Sequence, residues 1–501
     1  MLRKKIYKWH RNCSIIIAVP VILWALSGFM HPIMTNIRPK LVTQSFVRES
    51  IDTAKIKVSL QEALRQNAVN SFSNVRLVCM DTNWFYQLRL PGSDTLLYIS
   101  SEDGKVLRNG DRLYAQYLAE IFLKGRSSFH KSSMSDVKDV SMITTFDNVY
   151  QAINRLLPVY EVSFERSDGI RIYVETAHDR FSFAADNKRA FFSNIFILVH
   201  TWKWLAFLGT GKLLVEIFLS GLAFVTTLMG IYIFFSTSSK KGKGNRLVKA
   251  RRRHRFISII ISLFTLMFTF SGCYHAFSKL STGTDAKRIS NIFSSSQVHL
   301  DVARLQQIVQ KPIVDISLIS MQDTAYWQVY TKTVPDRKTK DLMKDMGVAA
   351  PAVVYVQAAD YNILKDGDAQ YADYLATKFS GRKPGSIQST VMITHFTDDY
   401  DFADKLLPVW KVSYASDHHQ RYYVETTDGR LSKVINDIGS LQEYSFAFLH
   451  KHEFLAGFGQ GVKDFSTMFW AAAQVLMAIT GLVLYLRWWQ RRRKKSGNHV
   501  S

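Results

Sequence analysis

Lys8-Trp9-His10-Arg11 opens an apolar run that closes on Ser27-Gly28-Phe29-Met30-His31. The same pattern returns at Arg252-Arg253-His254-Arg255 through Ser271-Gly272-Cys273-Tyr274-His275. In each copy the second histidine follows the first by 21 residues. At ~1.5 Å rise per residue, that is roughly 31 Å, about one hydrocarbon core. At ~100° per residue the two imidazoles of a copy lie about 60° apart around the helix. Each copy is therefore expected to form a transmembrane helix with an imidazole near either end.

Four apolar runs have near-spanning length: Cys13–Met30, Leu213–Phe235, Phe256–Ala276 and Met468–Leu486. They carry few charges, Glu216 being the exception. The first run lacks a small-x-small cleavage site and has an internal twin, so it reads as a helix and not as a cleaved signal.

Net charge is +23, and its location gives its meaning. Residues 1–12 hold five Lys/Arg, 240–255 hold nine and 487–495 hold six, with no acid among them. Removing those 20 leaves 44 basic against 41 acidic residues. A nucleic-acid binder would carry its basic residues on a folded face. Here they flank apolar runs, which predicts cytoplasmic termini and a cytoplasmic linker. The two long segments, about 37–205 and 280–460, then lie on the other side. Three cysteines, Cys13, Cys79 and Cys273, provide neither a disulfide framework nor a Cys-x-x-Cys-His haem attachment.

The outer segments repeat each other. Gly110-Asp111…Tyr114…Tyr117 matches Gly367-Asp368…Tyr371…Tyr374. Met142-Ile143-Thr144, Leu156-Leu157-Pro158-Val159 and Tyr173-Val174-Glu175-Thr176 each recur 250 residues later. A run of matches at one offset marks duplication. Within the first copy, Ser59–Gln66, Leu113–Leu123 and Val149–Leu157 are predicted helices. Val75–Cys79, Trp84–Leu90, Leu96–Ser100, Lys105–Leu107, Val159–Phe164 and Ile170–Thr176 are predicted strands. Pro32 and Pro39 are expected to break the first long helix. Lys332–Val348 reads as an inserted loop. Together these elements make small antiparallel α+β domains.

Each half ends alike. Phe196…His200 precedes Leu208-Gly209, and Phe446…His450 precedes Phe458-Gly459, both as aromatic interfacial segments. Trp202 is replaced by His452 in the second copy. Each half thus offers three corresponding histidines: His10, His31 and His200, then His254, His275 and His450. Beside Lys and Arg, His10 and His254 suit either interfacial snorkelling or ligation. His31, His200, His275 and His450 lie in apolar surroundings, where ionisable groups need a partner and are candidate metal ligands. Neutral imidazole binds iron, copper or zinc. Thiols do not recur at matching positions and carboxylates are scarce, which disfavours cysteine-rich zinc and carboxylate-bridged di-iron. Imidazoles on different helices among Phe, Trp and Leu suit bis-histidine haem b, although spacing alone leaves the metal open. Gly28, Gly209, Gly272 and Gly459 would let a flat macrocycle or a helix approach. His395, His418 and His419 lack matching histidines in the first half and read as surface residues. No phosphate-binding loop, nucleophile elbow or His-Glu-x-x-His is present.

The chain resembles the PepSY-associated transmembrane family. The likeness rests on Trp9-His10-Arg11, the Ser27-Gly28 end of the first helix, the α+β outer domains and the histidine before the glycines that open helix two. It covers nearly the whole chain in two tandem halves, with Ser-Gly where Thr-Gly is commoner. Members of that family include inner-membrane reductases of iron–siderophore complexes that carry two b-type haems. The resemblance implies an α-helical integral membrane protein with four transmembrane helices, an internal tandem duplication and two PepSY-like extracytoplasmic α+β domains. The implied order is 1–36 basic end and first helix, 37–190 first α+β domain, 191–236 interfacial and second helix, and 237–255 cytoplasmic linker. Then come 256–279 third helix, 280–442 second α+β domain, 443–488 interfacial and fourth helix, and 489–501 cytoplasmic tail. It further implies His31, His200, His275 and His450 as axial ligands of haem iron, with His10 and His254 as candidates for a haem nearer the cytoplasm. The implied setting is a bacterial inner membrane, with a ferric chelate or siderophore as substrate. The donor would be a quinol or a cytoplasmic reductase, and no nucleic acid is involved. The rival expectation is a non-enzymatic membrane protein whose PepSY-like domains bind peptide or regulate a periplasmic partner. A permease is disfavoured because the runs hold no acid pair.

Overall fold

A computed structural model describes residues 2–126, 136–237, 246–280, 287–332, 348–397, 399–401, 406–415 and 418–497. Nearly all of the Lys332–Val348 loop expectation falls outside these residues. The chain forms two compact units, one of residues 1–37, 188–284 and 438–501, the other of residues 38–187 and 285–437.

The first unit holds four helices long and apolar enough to cross a membrane: Leu2–Asn36, Thr210–Ser236, Arg246–Ser278 and Gln460–Arg491. Even the shortest, at 27 residues, rises about 40 Å, more than one hydrocarbon core. The first helix packs on the second and fourth, and the third packs on the same two. Ser27 and Ser271 are fully buried between helices. Outward, Ile16, Val19, Phe218, Ile260, Leu263 and Phe469 stay exposed. Such a continuous apolar exterior suits lipid far better than water.

Pro32 does not break the first helix, which runs on to Asn36. The Thr35 hydroxyl and Asn36 amide donate to the Pro32 carbonyl at 3.1 and 2.8 Å, so side chains help satisfy the backbone there. Short helices at Asn187–Val199 and Asp437–His450 carry the aromatic segments, each followed by a 3-10 turn.

The second unit is antiparallel α+β. Asn74–Met80, Asn83–Arg89 and Leu96–Ser100 form one sheet, and Val137–Ile143, Val159–Phe164, Arg171–Glu175 and Arg180–Ala185 another. The second repeat rebuilds both, from Ile313–Met321 to Ile363–Leu364 and from Ile387–Ile393 to Arg430–Ile435. Helix Gly110–Lys124 buries Tyr114, Leu118 and Phe122 against both sheets of its repeat. The repeats share cores: Leu64, Leu77 and Trp84 pack in one cluster with Leu305, Ile316 and Trp327, and Tyr150 and Tyr173 in another with Tyr400 and Tyr423.

The repeated Gly-Asp motif has a packing explanation. A Cβ at Gly110 would lie 2.7 Å from the Tyr98 Cβ, and one at Gly367 2.5 Å from the Tyr355 Cβ. Asp111 accepts from the hydroxyls of Tyr98 and Tyr160 at 3.2 and 3.1 Å. Asp368 accepts from the Tyr355 hydroxyl and the Trp410 indole at 2.8 and 2.7 Å.

Two local expectations fail. Val149–Leu157 is not a helix beyond the single 3-10 turn Ala152–Asn154. Asp147 instead takes the Val149 and Tyr150 amides at 2.6 and 2.7 Å, and Tyr150 stacks on Tyr173 at 4.7 Å. A side chain that captures backbone donors competes with helix. Lys105–Leu107 is not a strand, since only Val106 bridges to Ile99.

Candidate functional site

In the helical unit four of the singled-out histidines fall on one ladder of rings. His31 lies 5.3 Å from Phe196, which stacks on His200 at 4.6 Å. His275 lies 4.4 Å from Phe446, which stacks on His450 at 4.6 Å. Phe196 and His200, like Phe446 and His450, are spaced i and i+4, so one helical turn aligns their rings. The two arms meet where His200 and His450 face each other, ring centroids 6.5 Å apart and nearly perpendicular.

Hydrogen bonds fix the tautomer of the central pair. The Ser27 hydroxyl donates to the Leu23 and Trp24 carbonyls at 2.9 and 2.8 Å, so its hydrogen is committed. Its contact with His200 Nδ1 at 2.9 Å must therefore be an N–H donated to Oγ. The Ser271 hydroxyl donates to the Met267 carbonyl at 2.6 Å, and His450 Nδ1 lies 3.1 Å from its Oγ. Both imidazoles thus carry hydrogen on Nδ1 and leave Nε2 as a bare lone pair, the state that a metal binds. His275 is held differently: the Gln442 amide donates to its Nδ1 at 3.2 Å while its oxygen accepts from Ser278 at 3.2 Å.

His10 and His254 lie on the first and third long helices, each toward the basic end. The His10 Nδ1 sits 3.0 Å from the Thr226 carbonyl, and His254 Nδ1 3.2 Å from the Thr480 hydroxyl. Gly230 and Gly481 make room for them, since a Cβ there would lie 3.2 and 3.3 Å from the respective Cε1 atoms. Of the four glycines expected to admit a flat group, only at Gly272 would a Cβ meet a histidine, 3.9 Å from His450 Cε1. Gly28, Gly209 and Gly459 face open space.

These residues fit a haem b donor set. A metal bound at ~2.0 Å by one nitrogen from each of two imidazoles holds their centroids roughly 6 Å apart. His200 and His450 meet that spacing with the correct nitrogens free. They would hold one iron.

The α+β unit contains a second cluster, which the sequence reading did not single out. Arg180 donates to Glu425, and Arg430 donates to Glu175 at 3.2 Å. Asp428 takes Arg89 at 3.1 Å, Arg430 at 2.8 Å and Arg288. His178 lies between Glu175 and Asp428, at 3.5 and 3.8 Å. Glu175, His178 and Asp428 could by spacing hold a cation. Four arginines already neutralise the three carboxylates, so a divalent ion there would be buried amid excess positive charge, and an ion-pair lock explains the cluster better. Burial raises the Glu175 and Asp428 carboxyls, but the arginines outweigh it and hold both below the usual range. Burial pushes His178 down and keeps it neutral near pH 7. A neighbouring lock joins Asp179 to Arg76 at 2.7 Å and Arg48 at 2.7 Å.

His395, His418 and His419 are exposed, and His419 pairs with Asp437 at 2.8 Å. No family model matches the chain, and the search of curated proteins gives no match.

Proposed function

We propose that this is a membrane-bound electron-transfer protein with two b-type haems that reduces ferric iron held in a chelate of the siderophore class. The observation carrying this reading is the His200–His450 pair, with serine-fixed tautomers and 6.5 Å between centroids. Bound haem would supply a one-electron couple at iron, whose potential answers to ligation, hydrogen bonding and burial. The chain's own residues do the rest. His200 and His450 present Nε2, Ser27 and Ser271 hold the rings, and Phe196 and Phe446 pack along them. No acid–base residue is required, because reduction alone weakens a hard oxygen chelator's hold on iron. The setting is a bacterial inner membrane, and the lysine- and arginine-rich helix ends support cytoplasmic termini with the α+β unit outside.

The test is direct. The purified protein is reduced with dithionite, freed of excess reductant and mixed with a ferric hydroxamate chelate and a ferrous indicator. Reoxidation of the protein together with indicator colour is expected. A protein that stays reduced in the presence of the chelate would rule the activity out.

A further inference from the structure

Serine holds the Nδ1 of a third buried histidine. His452 is fully buried, its Nδ1 is 3.0 Å from the Ser466 hydroxyl, and its Nε2 has no partner. The rings of Phe264, Phe268 and Phe454 enclose it at 5.5, 5.2 and 5.4 Å. Leaving a polar nitrogen dry and unpaired costs about 1–3 kcal/mol.

The other half of the internal duplication lacks this arrangement. The residues 250 positions earlier are Trp202 and Glu216. Trp202 stacks on Trp24 at 4.9 Å, and Glu216 faces Lys212 at 3.7 Å. Only the second half has a contacting His–Ser pair at these positions.

The third pair also differs from the other two. Ser27 and Ser271 have committed their hydrogens to backbone carbonyls. Among the described residues the Ser466 hydroxyl makes no hydrogen bond except that to His452. Its hydroxyl can therefore accept from Nδ1–H, which leaves Nε2 bare, or donate to Nδ1, which leaves Nε2–H. His452 can meet either a hydroxyl or a carbonyl. A metal would find one protein ligand there, whereas a flat, uncharged ring would find aromatic walls and one hydrogen bond. The ligand that alternates between hydroxyl and carbonyl, is aromatic and dissolves in lipid is a hydroquinone and its quinone. Phe454, 39% exposed, flanks the site. Phe268 touches His450 at 5.3 Å as well as His452, so a ligand here would sit one ring away from the central imidazole pair.

We propose that His452 Nε2 anchors the head group of a membrane hydroquinone. This names a donor for the electron-transfer reading and rests on that reading for its purpose, not for its chemistry.

The probe is heptyl-hydroxyquinoline N-oxide, a quinol analogue whose fluorescence falls on binding, titrated into the full-length protein in detergent. Saturable binding is expected. His452→Phe should weaken it by about tenfold or more, the worth of one buried hydrogen bond, with the haem spectrum unchanged. Ser466→Ala, the milder variant, should weaken it in the same direction, and Trp202→Phe should leave it alone. Unchanged affinity in His452→Phe would overturn the proposal. So would equal weakening in Trp202→Phe, or loss of the haem spectrum in His452→Phe, which would make His452 an iron ligand. A colourless wild-type protein would defeat the electron-transfer reading, while analogue binding would still judge the His452 site.

Discussion

His200 and His450 are 250 residues apart in the chain and meet with ring centroids 6.5 Å apart. They occupy equivalent positions in the two repeats. The duplication therefore does more than double a helix pair, because it builds one two-sided site from two equivalent side chains. Removing either should abolish the same species. His200→Ala and His450→Ala are each expected to lose one and the same haem, read as haem per mole by pyridine haemochrome. Loss of different spectral components by the two variants would contradict a shared iron.

Ser27 and Ser271 should act through those rings. Ser27→Ala or Ser271→Ala strands a buried Nδ1–H and frees the ring to turn. Haem affinity is expected to fall by about 10–100-fold, the usual effect of removing a partner behind a metal ligand. Haem titration of the apoprotein measures it, and threonine at either position should restore much of the loss.

The reciprocal pairs Arg180–Glu425 and Arg430–Glu175 lock the two α+β repeats together. Arg430→Ala leaves Glu175 and Asp428 buried with less compensation, which should destabilise the unit by about 3–5 kcal/mol. Thermal unfolding followed by tryptophan fluorescence reports it. Replacing an exposed residue such as Lys105 should do nothing of that size.

The same cluster and the neighbouring Asp179 lock set a pH dependence. Glu175, Asp428 and Asp179 have folded pKa values below their unfolded ones, so their stabilisation is present above about pH 4 and is lost as pH falls below it. His178 has a folded pKa below its unfolded value of about 6.5. The unfolded chain then binds a proton that the folded chain refuses, so stability already declines as pH drops below about 6.5. Chemical denaturation between pH 7 and pH 5 should show that decline, and His178→Asn should flatten it.

Much of this architecture could be read from the chain. The four apolar runs and the 250-residue offset foretold the long helices and the twin α+β repeats, because both signals are periodic and local. The central site was legible only as a list. His10, His31, His200, His254, His275 and His450 were all visible as duplicated residues, but which of them face each other depends on helix rotation, which spacing does not set. His178 was hidden because its partner in the other repeat is Asp428, so a search for matching histidines passes over it. The segment Val149–Leu157 failed for a different reason: Asp147 and the buried Tyr150 override a weak helical pattern.

The Gly-Asp motif illustrates how a repeated signature can be purely structural. Gly110→Ala should put a methyl 2.7 Å from the Tyr98 Cβ and cost about 1–3 kcal/mol, as overpacking of a core typically does. Gly367→Ala should behave alike, by thermal unfolding, with haem content per folded chain unchanged.

The most direct measurement is an absorption spectrum of the purified full-length protein from haem-replete cells, before and after dithionite. A Soret band with sharp alpha and beta bands on reduction, and a haem count approaching two per chain, is the expected result. A colourless protein, with no Soret band and no haem extracted, would contradict a redox metal held by paired imidazoles.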